Sequence, residues 1–256
     1  SDTGLAVSID VSDPAQMPAT LYLRMVVLDQ YRNGTFLLSA PLRRSAFGWE
    51  QNSSEVEGTE RPRPGPPLYW TFYLEPGLSR YLPLPGSFER LRFRELQNVR
   101  FSRNLGALTL RNEPVTMTAY RIEGVNTSPV LPDADFAESL RTAPRDSSGR
   151  LLRSPRRELE LPGGAADQAA LQAAVAEITG GAALPPEEFA RRACAWLDQR
   201  HAYSLQSALA PGPGDPLVRW IGGRAPGHCE LYAGAFIVLA RAAVFPARLV
   251  SGVKGG

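Results

Sequence analysis

The apolar pattern of this chain changes period once, and that change limits its architecture more than anything else in the sequence. Up to about residue 125 the branched and aromatic residues come in short runs with a period near two, broken by turn residues. The segments Leu5–Asp10, Leu21–Gln30, Leu68–Leu74 and Val115–Ile122 read as strands, with shorter candidates near Tyr81, Leu91–Phe93, Val99–Phe101 and Leu108–Leu110. Asn33-Gly34 marks a tight turn after Tyr31, with Thr35–Leu38 as the returning strand. Alternation is blurred over Leu21–Leu28, which predicts a strand buried on both faces. The polar, then proline-rich segment Gln51–Pro67 reads as a surface loop. Many short strands of this kind indicate an all-β sandwich or barrel-like domain over 1–140.

Beyond the linker the period becomes helical. Ala165–Thr179 places Leu171, Val175 and Ile178 on one face, and Gly180-Gly181 stops it. Pro185-Pro186-Glu187-Glu188 opens a second helix with prolines and acids in the first turn, and that helix ends near His201. A short helix or turn follows at Leu217–Ile221. The glycine-rich stretch 222–227 then leads into a third helix, which runs to about Ala243, and Ala247–Val253 reads as a closing strand. The segment Thr142–Arg157, with Pro, Ser, Gly and five arginines, reads as an exposed linker. The division is therefore a β-rich domain at 1–140, a linker at 141–160 and a mixed domain at 161–256, an α+β chain as a whole.

Charge and composition exclude several functions. With 28 basic and 26 acidic residues the net charge is +2, too small to imply a nucleic-acid partner. The longest richly apolar stretch, Leu231–Ala240, is far short of the roughly 18 residues that span a bilayer. Ser1–Asp10 carries acids where a signal peptide would carry bases, so none is expected there. Two cysteines, Cys194 and Cys229, make no disulfide framework, and with only His201 and His228 beside them no zinc site of Cys type. No metal or other cofactor is expected.

Cys229 is the residue best placed for chemistry. It follows a glycine-rich loop and opens an apolar helix. A thiol there faces unpaired N–H groups and the positive end of the helix dipole, which favours the thiolate and can hold an oxyanion. Gly227, His228, Glu230 and Trp220 are the active-loop candidates around it. Adjacent side chains at a helix start point apart, so His228 does not face the Cys229 thiol; Glu230 lies in the first turn, and Trp220 reads as core or cleft. His201 reads as an exposed or capping residue at a helix end, and Cys194, beside Trp196, as a small core residue.

The run Gly227-His-Cys-Glu-Leu-Tyr-Ala-Gly-Ala-Phe236, with Leu239-Ala-Arg-Ala-Ala243, Phe245-Pro-Ala-Arg-Leu-Val250 and Gly252, resembles the core of the transglutaminase-like superfamily. It is most similar to the bacterial membrane-anchored branch. Tyr203-Ser-Leu205 and Asp215-Pro216 sit where that branch has Tyr-Thr-Leu and Asp-Pro. More loosely, Leu21–Phe36 resembles the β region that precedes the core. One position departs: Val244 stands where the family has glycine, so the helix is expected to end by another geometry.

The resemblance implies a papain-like core in which Cys229 attacks a glutamine or peptide carbonyl to form a thioester, resolved by an amine or water. Its partner would be a protein or peptide substrate. In the family the histidine base and its orienting acid lie downstream of the closing strand. This sequence stops at Gly256, so the chain is expected to hold the nucleophile without its base, and to be inactive or nearly so alone. The resemblance further implies an extracytoplasmic segment of a membrane-anchored protein, touching the membrane only through segments absent here. Lys254 is the single lysine, which argues against self-crosslinking. Two other readings stand beside this one: a non-catalytic binding or scaffold module of the same fold, and a cytosolic cysteine hydrolase.

Overall fold

The strand and helix signals become elements in the computed structural model, which describes residues 7–47, 50–62, 64, 68–103, 105–127, 147, 157–206, 209 and 211–255. The chain is α+β, with five α-helices among the described residues. It divides into two compact units, one of residues 1–27, 40–130 and 250–256, the other of 28–39 and 131–249. Of the linker expected at 141–160, only residues 147 and 157–160 are described.

The first unit is built on an antiparallel sheet. Its strands are β1 (Val7–Val11), β5 (Gln51–Glu57), β6 (Tyr69–Leu74), β7 (Tyr81–Leu82), β8 (Arg90–Ser102), β9 (Ala107–Leu110) and β10 (Thr118–Glu123). They run in the order β1-β6-β10-β8-β9-β7, with β5 also paired to β8. Helix α1 (Ala40–Ala46) precedes β5. A second ribbon pairs β2 (Tyr22–Leu28) with β11 (Leu249–Lys254). Leu21 and Leu23 share one apolar cluster with Trp70, Phe72, Leu91 and Ile122. Within it Tyr120 stacks on its cross-strand partner Phe72, ring centres 5.0 Å apart, and donates its hydroxyl to Pro83 O at 2.6 Å.

Two expectations are corrected here. Leu21, Leu23, Met25 and Val27 are buried while Tyr22 is 68% exposed, so the strand buries one face. A two-stranded ribbon covers one side of its strands, and alternation survives in burial even where it is blurred in composition. Gln51–Glu57 is a strand and no loop. It pairs with β8, and Val56 is its buried residue. Backbone pairing asks nothing of side-chain polarity, so a polar strand on a long partner leaves no hydrophobic signature. The two candidates at 91–93 and 99–101 are the two ends of β8, a single strand of 13 residues.

The second unit is helical. It comprises α2 (Ala165–Thr179), α3 (Pro186–Arg200), α4 (Pro216–Gly222) and α5 (Cys229–Ala242). Gly180, at φ 63°, ends α2 in the left-handed conformation that glycine adopts without strain. Helix α5 is the centre: Ala235, Val238 and Leu239 are fully buried against Leu171, Phe189, Ala193 and Leu217.

A hairpin from early in the chain completes this unit. Strands β3 (Gln30–Arg32) and β4 (Thr35–Leu37) turn at Asn33 and Gly34, with φ of 47° and 87° as a type I′ turn requires. Asp29 closes the hairpin by accepting from the Ser39 amide at 2.8 Å and hydroxyl at 2.7 Å. Tyr31 and Phe36 then pack into the helical core.

Candidate functional site

Cys229 is the first residue of α5, and His228 is the N-cap, with extended backbone at φ −99° and ψ 175°. The amides of Cys229, Glu230 and Leu231 have no acceptor in a preceding helical turn, so a cluster of N–H groups converges at the thiol's end of the helix. The side chain of Cys229 is exposed while the body of α5 is buried. Glu230 is an exposed first-turn acid, in the position the dipole favours. Neither cysteine is in a disulfide.

The loop before Cys229 is fixed from beneath and from the side. Gly227 donates to Ala202 O at 2.9 Å and accepts from the Ser204 amide at 2.8 Å, a two-way bridge to the segment after α3. Trp220 of α4 lies under the loop, 3% exposed, and its indole donates to Pro226 O at 3.2 Å. A Cβ on Gly227 would stand 2.4 Å from Trp220 Cζ2, so only glycine lets the loop lie on the indole. His201 stacks on Trp220, rings 3.7 Å apart and 18° from parallel. Its Nδ1 hydrogen-bonds Ala225 O at 2.8 Å. Tyr232, one turn into α5, meets Trp220 edge-on at 5.4 Å and donates its hydroxyl to His201 O.

This corrects the sequence reading of His201 and Cys194. His201 does end α3, its amide donating to Leu197 O, but the side chain is 3% exposed and not solvated. Burial pushes its pKa below the ordinary 6.5, and Arg200 and Arg224 push the same way against the Ala225 hydrogen bond. Trp220 is a buried support of the loop. Cys194 is exposed, while Ala193 and Leu197 of the same helix take the core. Desolvation of its sulfur, followed by the Asp198 carboxylate, raises its pKa. His228 contributes its carbonyl, which accepts from the Tyr232 amide, and makes no side-chain cap.

Val244 does what the sequence reading denied it. It takes φ 67°, the only non-glycine besides Asn33 with positive φ among the described residues. The Phe245 amide donates to Ala240 O at 2.8 Å and the Val244 amide to Arg241 O at 3.0 Å. That is the glycine-type helix ending, carried by a β-branched residue at a cost of about 1–2 kcal/mol.

Three anchors went unread in the sequence. Asp215 caps α4, accepting from the Leu217 and Val218 amides at 2.9 and 3.2 Å. It also accepts from the Tyr31 hydroxyl at 2.8 Å, tying the hairpin to the helix that carries Trp220. Burial, then this bond to Asp215, raises the Tyr31 pKa. Asp167 at the start of α2 accepts from the Gly164 and Asp215 amides. Arg241 is 2% exposed and donates to the carbonyls of Asp29, Ala247 and Glu160, pinning the far end of α5. Burial lowers its pKa to about 10, which leaves it charged at neutral pH. The Asp215-Pro216 pair is a helix-start signature and could have revealed the cap, but no local signal pairs it with Tyr31.

Among the described residues no group of three His, Cys, Asp or Glu side chains converges to hold a metal, and no helix is long and apolar enough to cross a membrane. Residues 172–256 match the sequence profile of the Transglutaminase-like superfamily. No curated protein matches the chain. Two solved structures of the periplasmic domain of TgpA from Pseudomonas aeruginosa share its fold. One, bound to ethylmercury, is 20% identical, with 98% of this chain and 77% of that chain covered and a TM-score of 0.62. The other is 20% identical, with 98% and 75% covered and a TM-score of 0.61.

Proposed function

We propose, on the premise that residues 172–256 are a transglutaminase-like domain, that Cys229 is the nucleophile of an acyl-transfer or hydrolytic reaction on a glutamine or peptide carbonyl. The observation that carries this reading is the placement of Cys229: an exposed thiol at the N-terminus of a buried helix, after a loop held rigid by Trp220, His201 and Tyr232. The sulfur attacks the carbonyl carbon, and the oxygen takes the electron pair as an oxyanion facing the N-terminal amides. Collapse breaks the C–N bond, the amine leaves with the proton that the thiol gave up, and a thioester remains. A second amine or water then attacks the thioester and releases the thiol.

His201 serves this site by position. Its ring is buried, stacked and committed through Nδ1 to Ala225, so its work is to hold the loop. His228 sets the helix start. Proton transfer to and from the substrate is therefore assigned to neither imidazole. The periplasmic character of the solved neighbours supports an extracytoplasmic setting for this chain as well.

An activated ester tests the nucleophile without demanding a strong base, because nitrophenolate leaves unprotonated. With p-nitrophenyl acetate in excess, a burst of about one nitrophenolate per chain is expected. The burst is retained in Cys194→Ala and lost in Cys229→Ala. A burst that survives in Cys229→Ala overturns the assignment.

A further inference from the structure

A second chemically distinctive place lies wholly within the β unit. A cavity of about 330 Å³ opens between α1, β7, β8 and β9. Four arginines line it, Arg43, Arg80, Arg100 and Arg111, against one acid, Glu50. Its apolar lining comes from Phe47, Tyr81 and Leu110, with Phe47 and Tyr81 edge to face at 6.5 Å.

The pairing in this cluster is looser than at Glu55, the tightest pair on the same sheet among the described residues, and as open as Arg103 with Glu57 at 3.5 Å. Glu55 takes Arg90 at 2.9 Å and Arg92 at 3.2 Å, distances of closed ion pairs. In the cavity Glu50 stands 3.5 Å from Arg100 and 3.6 Å from Arg111, too far to close either fork. Arg80 lies over the Tyr81 ring, 5.4 Å from its centre. Among the described residues no carboxylate pairs with Arg80 or Arg43. All four arginines are exposed, so water screens their repulsion, and an incoming anion would meet donors from several sides at once. A bare inorganic ion would leave the half-buried Tyr81 ring and the small open edges of Phe47 and Leu110 uncovered. A ligand with an apolar body would cover them.

We propose that this cavity binds an organic acid: an oxyanion head, carboxylate or phosphate, on an apolar body of roughly the size of one ring. The arginine forks hold the head bidentately, and Tyr81, Phe47 and Leu110 cover the body. Glu50 competes with the ligand for Arg100 and Arg111.

Calorimetric titration of the full chain with benzoate, phenyl phosphate and neutral benzyl alcohol tests this. Both acids are expected to bind, weakening as salt shortens the screening length, and the alcohol is not. The ratio of the two acids assigns the head group. Arg80→Gln and Arg100→Gln should each weaken binding about tenfold. Glu50→Gln should tighten it, because the competing carboxylate is gone. Circular dichroism of each variant shows that the sheet is intact. Binding of the alcohol as tight as that of benzoate, no binding of either acid, or weaker binding in Glu50→Gln would each overturn the proposal.

Discussion

At the scale of single residues, the candidate site depends on small numbers of atoms in tight places. Gly227→Ala would place a methyl carbon 2.4 Å from Trp220, and the indole is buried with nowhere to move. The loop must lift, and acylation of Cys229 should fall at least tenfold while the far-UV spectrum is unchanged; burst amplitude and rate read this directly. Val244→Gly should act in the opposite direction on stability. Relief of the left-handed strain, less the extra entropy glycine brings to the unfolded chain, should raise unfolding free energy by about 1 kcal/mol, measured by urea titration. His201 gives a pH signature. Its folded pKa lies below the ordinary value of 6.5, so the unfolded chain binds more protons as pH falls. The contribution is fully present above the unfolded pKa and is lost as pH drops through about 6.5 towards the folded value. Urea midpoints between about pH 7 and 5 should fall with pH in the native chain, and less steeply in His201→Gln.

At the scale of elements, what was legible in the sequence followed from punctuation. Helix α2 is bounded as Gly180 dictates, α3 opens at the prolines that announce it, and the β3–β4 turn sits on Asn33-Gly34. These residues constrain their own backbone, so the chain carries the information locally. Strand β5 was not legible, because its pairing to β8 is made by backbone groups under polar side chains. The burial of His201 was not legible either. A helix end says nothing about which later segment will fold over it, and here Trp220 and Tyr232 do so. The Cys229 loop was found from its glycines and the helix that follows. The supports that make it rigid come from α4 and α5 through contacts no spacing reveals.

At the scale of the whole molecule, the helical unit is assembled from distant parts of the chain. Tyr31 and Asp215, 184 residues apart, share a buried hydrogen bond. Arg241 finds its acceptor at Asp29, 212 residues away. Both links depend on the hairpin at 28–39. A fragment of residues 157–256 would leave the Asp215 carboxylate short of a donor and the Arg241 guanidinium short of an acceptor, and would uncover the face that Tyr31 and Phe36 protect. Each unsatisfied buried group costs about 1–3 kcal/mol, more where it is charged, against a typical domain stability of about 5–15 kcal/mol. That fragment should therefore show no cooperative thermal transition, while the full chain does. A sharp transition in the fragment, at the temperature of the full chain, would show that the hairpin is dispensable.

The most direct measurement is to find where an acyl group lands. The protein is treated with p-nitrophenyl acetate, quenched in acid, and mapped by peptide mass spectrometry with and without hydroxylamine, which cleaves thioesters. A single hydroxylamine-labile acetyl group on Cys229, with Cys194 unmodified, is the expected result. Acetylation of Cys194 in preference to Cys229, or of neither cysteine, would contradict the assignment of Cys229 as the nucleophile.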